Sequence, residues 1–203
     1  MATILAHHGV APRIHPTAFV APTAVLIGNV EVGEEASIWF GAVLRGDDPT
    51  HGIRIGARSS VQDNCVLHVS ARGPTVVGEE VTVGHGAVFE SCEVRRGALI
   101  GMNAVILQGA VIGEEALVAA LSVVPEGMQV PPRTLVAGAP ARIRKQLAGG
   151  SARWIRESAR HYVELSRTYL AQGIGGAIQG SGIRGQGSGD TASKARRPVD
   201  RPR

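Results

Sequence analysis

Large aliphatic residues return at every sixth position along most of this chain. The first run is Ile14, Val20, Leu26, Val32, Ile38 and Leu44. Two short runs follow, Ile55, Val61, Leu67 and then Val77, Val83, Phe89. The last run is Val94, Ile100, Ile106, Ile112, Val118, Val124, Val130 and Val136. A period of six matches no helical face, because positions six apart on an α-helix point in different directions. Plain strand alternation would make every second residue apolar, which this chain does not do. The residue four after the aliphatic is often Ala (Ala18, Ala24, Ala36, Ala42, Ala87, Ala104, Ala110, Ala116), and Gly often follows it directly (Gly33, Gly56, Gly78, Gly84, Gly101, Gly113). Short strands joined by tight turns that need Gly, Asn or Asp produce this pattern. Three hexads make one triangular coil, and stacked coils bury one aliphatic column per corner. The pattern predicts an all-β fold, a parallel β-helix or hexapeptide-repeat solenoid.

The breaks in the period are as informative as the period. Leu44 to Ile55 spans eleven positions and Leu67 to Val77 spans ten, so loops protrude at both places. Phe89 to Val94 spans five and predicts a local kink. Residues 1–13 read as a lead-in and 14–150 as the solenoid. Over 151–172 the period turns helical, with Trp154, Ile155, Ala159, Tyr162, Val163, Ser166, Tyr169 and Leu170 on one face. Ser151 is placed to cap that helix and Gly173 to stop it. Its stripe predicts packing against a coil face or a neighbouring subunit.

Charge changes the picture little. The net charge is +4, and residues 173–203 hold six basic residues against two acidic ones, so the rest of the chain is balanced. The basic character belongs to a Gly/Ser/Arg-rich tail expected to be disordered, not to a specific nucleic-acid surface. No run is apolar enough for a membrane span, and the start lacks the marks of a signal peptide. Two cysteines, Cys65 and Cys92, make no disulfide framework and read as buried reduced thiols of a cytoplasmic protein.

Candidate chemistry gathers in the middle coils, in VLRGDD (43–48), SVQDNCVLH (60–68) and VTVGHGAVFESC (81–92). His68 and His85 are seventeen residues apart, nearly one coil of eighteen, which predicts similar faces of adjacent coils. Glu90, five residues past His85, is expected at or beyond a corner. His51 lies in the first loop. His7, His8, His15 and His161 read as structural or solvated.

These strings resemble the γ-class carbonic anhydrase family, with its R-G-D, V-Q-D-N-x-x-x-H and G-H-x-x-x-x-H-G-C motifs, over roughly residues 13–172. The resemblance implies a left-handed β-helix and a homotrimer with metal between subunits, Zn²⁺ or else Fe²⁺ or Co²⁺. It implies CO₂ and bicarbonate as substrates of a metal-bound hydroxide. His68 and His85 carry over as ligands. Arg45 carries over as the inter-subunit ion-pair partner of Asp63. Gln62 carries over as the group that hydrogen-bonds the metal's water, and Asp47 as the group that orients it.

The chain departs from that pattern where Glu90 replaces the third His and Ser91 replaces a Gly. No acidic proton shuttle follows His68. One reading makes Glu90 a ligand, since two His and one carboxylate form a legitimate zinc set with a fourth position for water. The other makes the site a decayed polar cluster. Two rival functions stay open: an acyltransferase or thioesterase acting on acyl-CoA, for which VAGAPARIRK (136–145) is a resemblance, and an inactive trimeric scaffold.

Overall fold

The computed structural model describes residues 1–176. The chain winds into a left-handed parallel β-helix of about seven turns followed by one C-terminal helix. Each turn contributes a short strand to each of three sheets. The first sheet starts with Thr3–Leu5, the second with Arg13–Ile14 and the third with Phe19–Val20.

The hexad aliphatics form the three expected columns. Leu26, Leu44, Leu67, Phe89, Ile106 and Val124 stack in register on the first sheet. Ile14, Val32, Ile55, Val77, Val94, Ile112 and Val130 stack on the second. Val20, Ile38, Val61, Val83, Ile100, Val118 and Val136 stack on the third. All but Ile14 are buried, and each full burial is worth about 1.5–3 kcal/mol. The alanines four places later are also buried. Their N–H groups close the turns, as Ala18 does onto the His15 carbonyl at 2.9 Å.

The turns correct one expectation. The glycine directly after the aliphatic is not the turn's left-handed residue. It is there because coils approach closely: a Cβ on Gly101 would lie 2.3 Å from the Ala120 nitrogen. The left-handed position comes three residues after the aliphatic and is often not glycine, as at Glu35, Arg58, Glu80 and Leu121 with φ of 51°, 57°, 56° and 59°. Each costs roughly 1–2 kcal/mol, which the paired coils on either side impose.

The irregular spacings set coil length. Val43 pairs with Val66 and Val66 with Val88, so those coils hold 23 and 22 residues; Val88 pairs with Val105, a coil of 17. Two elements lie outside the hexad pattern. Thr3–Leu5 adds a strand beside Val25–Ile27, and Arg142–Gln146 folds back antiparallel onto Thr134–Ala137.

The helix, Gly150–Ala171, covers the outer face of the third sheet. Tyr162, Leu165, Tyr169 and Leu170 pack on Phe19, Ala21 and Trp39, while Ile155 packs with Leu99 and Leu147. It starts after Gly149 without a side-chain cap. It ends at Gly173 (φ 73°), where Ile174 N–H donates to the Tyr169 carbonyl at 3.0 Å and Gly173 N–H to Leu170 at 2.9 Å. The side chains of Ser151 and Trp154 and the basic tail beyond residue 176 lie outside the described residues. No described helix is long and apolar enough to cross a membrane.

Candidate metal centre

Three neighbouring strands of the first sheet, Val43–Gly46, Val66–His68 and Val88–Glu90, place Arg45, His68 and Glu90 in one row. Leu44, Leu67 and Phe89 point inward, so the next residue on each strand points outward. The His68 ring lies between two carboxylates. Its Nε2 is 3.4 Å from Asp47 and its Nδ1 is 3.9 Å from Glu90. Arg45 donates to Asp47 at 2.5 Å. Burial raises the Asp47 pKa, but the hydrogen bond and charge of Arg45 outweigh it and hold the carboxyl below its ordinary range. Gln108 Nε2 donates to Glu90 Oε1 at 2.7 Å.

His85 is elsewhere, which corrects the reading from spacing. It sits on the turn between the third and first sheets, five residues before its coil reaches Glu90. The loop at residues 70–73 lengthens this coil to 22 residues, so a step of seventeen falls short of the His68 face. Glu90 lies past that corner from His85, as its spacing predicts, and there it is His68's direct neighbour. On its turn, His85 pairs through Nδ1 with Asp63 at 2.8 Å. That bond leaves Nε2 as the free ring nitrogen.

Gln62 precedes Asp63 on the same turn and is 3% exposed. Arg45 and Asp63 do not pair within one chain, since each has another partner. Tyr162 reaches this corner from the helix: burial, and next the negative charge of Asp63, raise its pKa. Among the described residues of a single chain, no three His, Cys, Asp or Glu side chains converge on one point.

The two departures from the motif have structural partners. Ser91 occupies a left-handed turn, φ 46°, where Gly would be unstrained. Its hydroxyl accepts from Ser70 N–H at 2.9 Å, and its own N–H donates to Thr75 Oγ1 at 2.8 Å. Thr75 in turn donates to the His68 carbonyl at 2.5 Å. Ser91 therefore ties the 70–73 loop to the His68 strand. Burial pushes the thiols of both Cys65 and Cys92 up to about 12, which removes them as ligands or nucleophiles. The site residues the sequence reading missed are Gln108 and Tyr162. Gln108 stands eighteen residues after Glu90, a spacing of one regular coil.

The donor set suits a divalent metal, provided it is drawn from two copies. His68 and Glu90 lie side by side, and His85 presents a free nitrogen from a different corner. Two imidazoles and a carboxylate form a three-ligand set with an open position.

No protein-family model matches the chain. It is 44% identical over 162 residues to the carnitine operon protein CaiE of Escherichia coli, covering 79% of this chain and 81% of that one. It is 36% identical over 168 residues to the mitochondrial γ carbonic anhydrase 2 of Arabidopsis thaliana, covering 80% of this chain and 60% of the plant protein. Among solved structures, a candidate acetyltransferase from Bacillus cereus superposes with a TM-score of 0.82 at 40% identity, covering 84% of this chain and 98% of that one. A hexapeptide transferase family protein from Anaplasma phagocytophilum superposes with a TM-score of 0.78 at 37% identity, covering 83% and 98%.

Proposed function

Because the chain belongs to the γ-carbonic-anhydrase-like family of hexapeptide-repeat proteins, we propose that it is a homotrimeric metalloprotein that hydrates CO₂ to bicarbonate. The observation that carries this reading is the split donor set. His68 and Glu90 are adjacent on one face, while His85, oriented by Asp63, faces outward from another corner. The site is complete only when His85 of a second copy docks against His68 and Glu90 of the first.

A Zn²⁺, Fe²⁺ or Co²⁺ held there supplies Lewis acidity that makes water a nucleophile near neutral pH. The remaining work falls to the chain. Asp47, kept ionised by Arg45, accepts from His68 or from water at its edge. Gln62 arrives with His85 and offers a carboxamide to the reacting oxygen. Docking also brings Asp63 toward Arg45, where their ion pair aligns the two copies. Glu90 adds negative charge that a third imidazole would not. Beside a metal held there, that charge would make water less acidic, and the expected activity profile would lie at more alkaline pH than with three His.

Elemental analysis followed by stopped-flow CO₂ hydration tests this reading. One metal per subunit and metal-dependent hydration are expected; no metal after loading with Zn²⁺ or Fe²⁺ contradicts it. The transferase names of the structural relatives favour a second reading, acyl transfer or thioester hydrolysis on acyl-CoA. Saturable CoA binding would support it. A trimer that binds neither metal nor CoA would be a scaffold. The buried reduced thiols fit a cytoplasmic setting.

A further inference from the structure

We infer that Gln108 is the positioning residue that fixes the Glu90 carboxylate in the orientation in which it serves as a ligand. The inference rests on the metal-site reading above. Glu90 reaches the site on a flexible side chain, and a carboxylate free to rotate could present either oxygen or both. Gln108 Nε2 holds Oε1 at 2.7 Å. The same oxygen is the one nearest His68 Nδ1, at 3.9 Å. The bond therefore fixes which edge of the carboxylate faces His68, and each oxygen keeps a lone pair for a cation.

The Gln108 backbone is itself fixed. Its neighbour Gly109 donates N–H to the Ser91 carbonyl at 2.7 Å, and Ser91 follows Glu90 directly. The carboxamide is thus held at a set distance from the carboxylate by coil stacking. The choice of side chain is also specific. A carboxylate accepts only, so the amide must turn its NH₂ toward it. A Lys or Arg there would orient Glu90 but would also cancel the charge a cation needs. A neutral donor orients it and leaves that charge intact. Partners of this kind typically contribute 10–100-fold to metal affinity.

The test is Co²⁺ titration of metal-free full-length protein, followed by the visible spectrum of the bound ion, for the native chain and Gln108→Leu. The native chain is expected to bind one Co²⁺ per subunit. Gln108→Leu is expected to bind about 10–100-fold more weakly, with a changed spectrum and an unchanged melting temperature of the metal-free form. Gln108→Asn, which keeps a neutral N–H donor, is expected to recover part of the native affinity and spectrum, whereas Gln108→Lys, whose charge offsets that of Glu90, is not. Gln108→Met, which removes the N–H donor at similar length without adding charge, gives the same test if the leucine variant does not fold. Native affinity and spectrum in Gln108→Leu would overturn the positioning role while leaving the metal site standing. Absence of Co²⁺ binding in the native chain would instead overturn the metal reading, and this inference with it.

Discussion

The first and second sheets are the same inside and opposite outside. Both present a column of aliphatic residues to the core. On its outer face the second sheet carries Arg13, Glu31, Arg54, Val76, Glu93, Val111 and Gln129 in register. Its charges are matched within the chain: Glu31 pairs with both Arg13 and Arg54, and Arg95 with Glu93 at 2.9 Å. The first sheet instead carries Val25, Val43, Val66, Val88, Val105 and Val123, an unbroken valine ladder beside the Arg45, His68, Glu90 row. Val66 and Val88 remain about 40% exposed. Self-satisfied charge suits water. An apolar ladder flanking the proposed ligands His68 and Glu90 suits a partner. The third sheet resolves the same problem within the chain, by laying its own helix over Phe19, Trp39 and Leu99.

The comparison can be broken from either side. Val88→Asp puts a charge in the ladder and is expected to reduce the proposed trimer to monomers in sedimentation at micromolar concentration, with loss of the metal it is proposed to hold. Val76→Asp, the matching change on the second sheet, should leave mass and metal content unchanged. His68→Ala should lower metal affinity by more than about 100-fold, beyond what an outer partner contributes, and leave the melting temperature of the metal-free form in place. Leu67→Ala, one residue earlier and pointing inward, should do the reverse. It should cost about 2–5 kcal/mol in denaturant unfolding while the assembled protein still binds metal.

The smallest effect is expected at Glu80, on the turn between the second and third sheets. Burial raises its pKa, but Arg96 and Arg58 outweigh this and hold it below the ordinary 4.5. Its stabilising contribution is therefore present above that value and is lost as pH falls through the lower folded-state pKa. Glu80→Gln should cost less than about 1 kcal/mol at pH 7. The difference from the native chain should vanish in acid, as read by melting at both pH values.

The columns were legible in the sequence because burial allows only one kind of residue at their positions. The cross-coil neighbours of the site were not. His68 and His85 look one coil apart until the 70–73 loop is counted into that coil, which puts Glu90 rather than His85 beside His68. The left-handed turn positions were hidden because the stacking imposes them on Glu, Arg and Leu as well as on Gly. Thr3–Leu5 and Arg142–Gln146 lie outside the period, so only pairing reveals them. Gln108 gave no local signal, since its role exists only across a coil boundary. Glu90 and Ser91, read as departures from a motif, turn out to be held by Gln108 and Ser70.

The most direct test of a site shared between copies is metal content after co-assembly of His68→Ala with His85→Ala. Neither variant alone should hold metal. In trimers assembled at random from equal amounts, about one interface in four joins an intact His68 to an intact His85. The account expects the mixture to recover roughly a quarter of the native metal content. No recovery in the mixture, or full occupancy in either single variant, would contradict it.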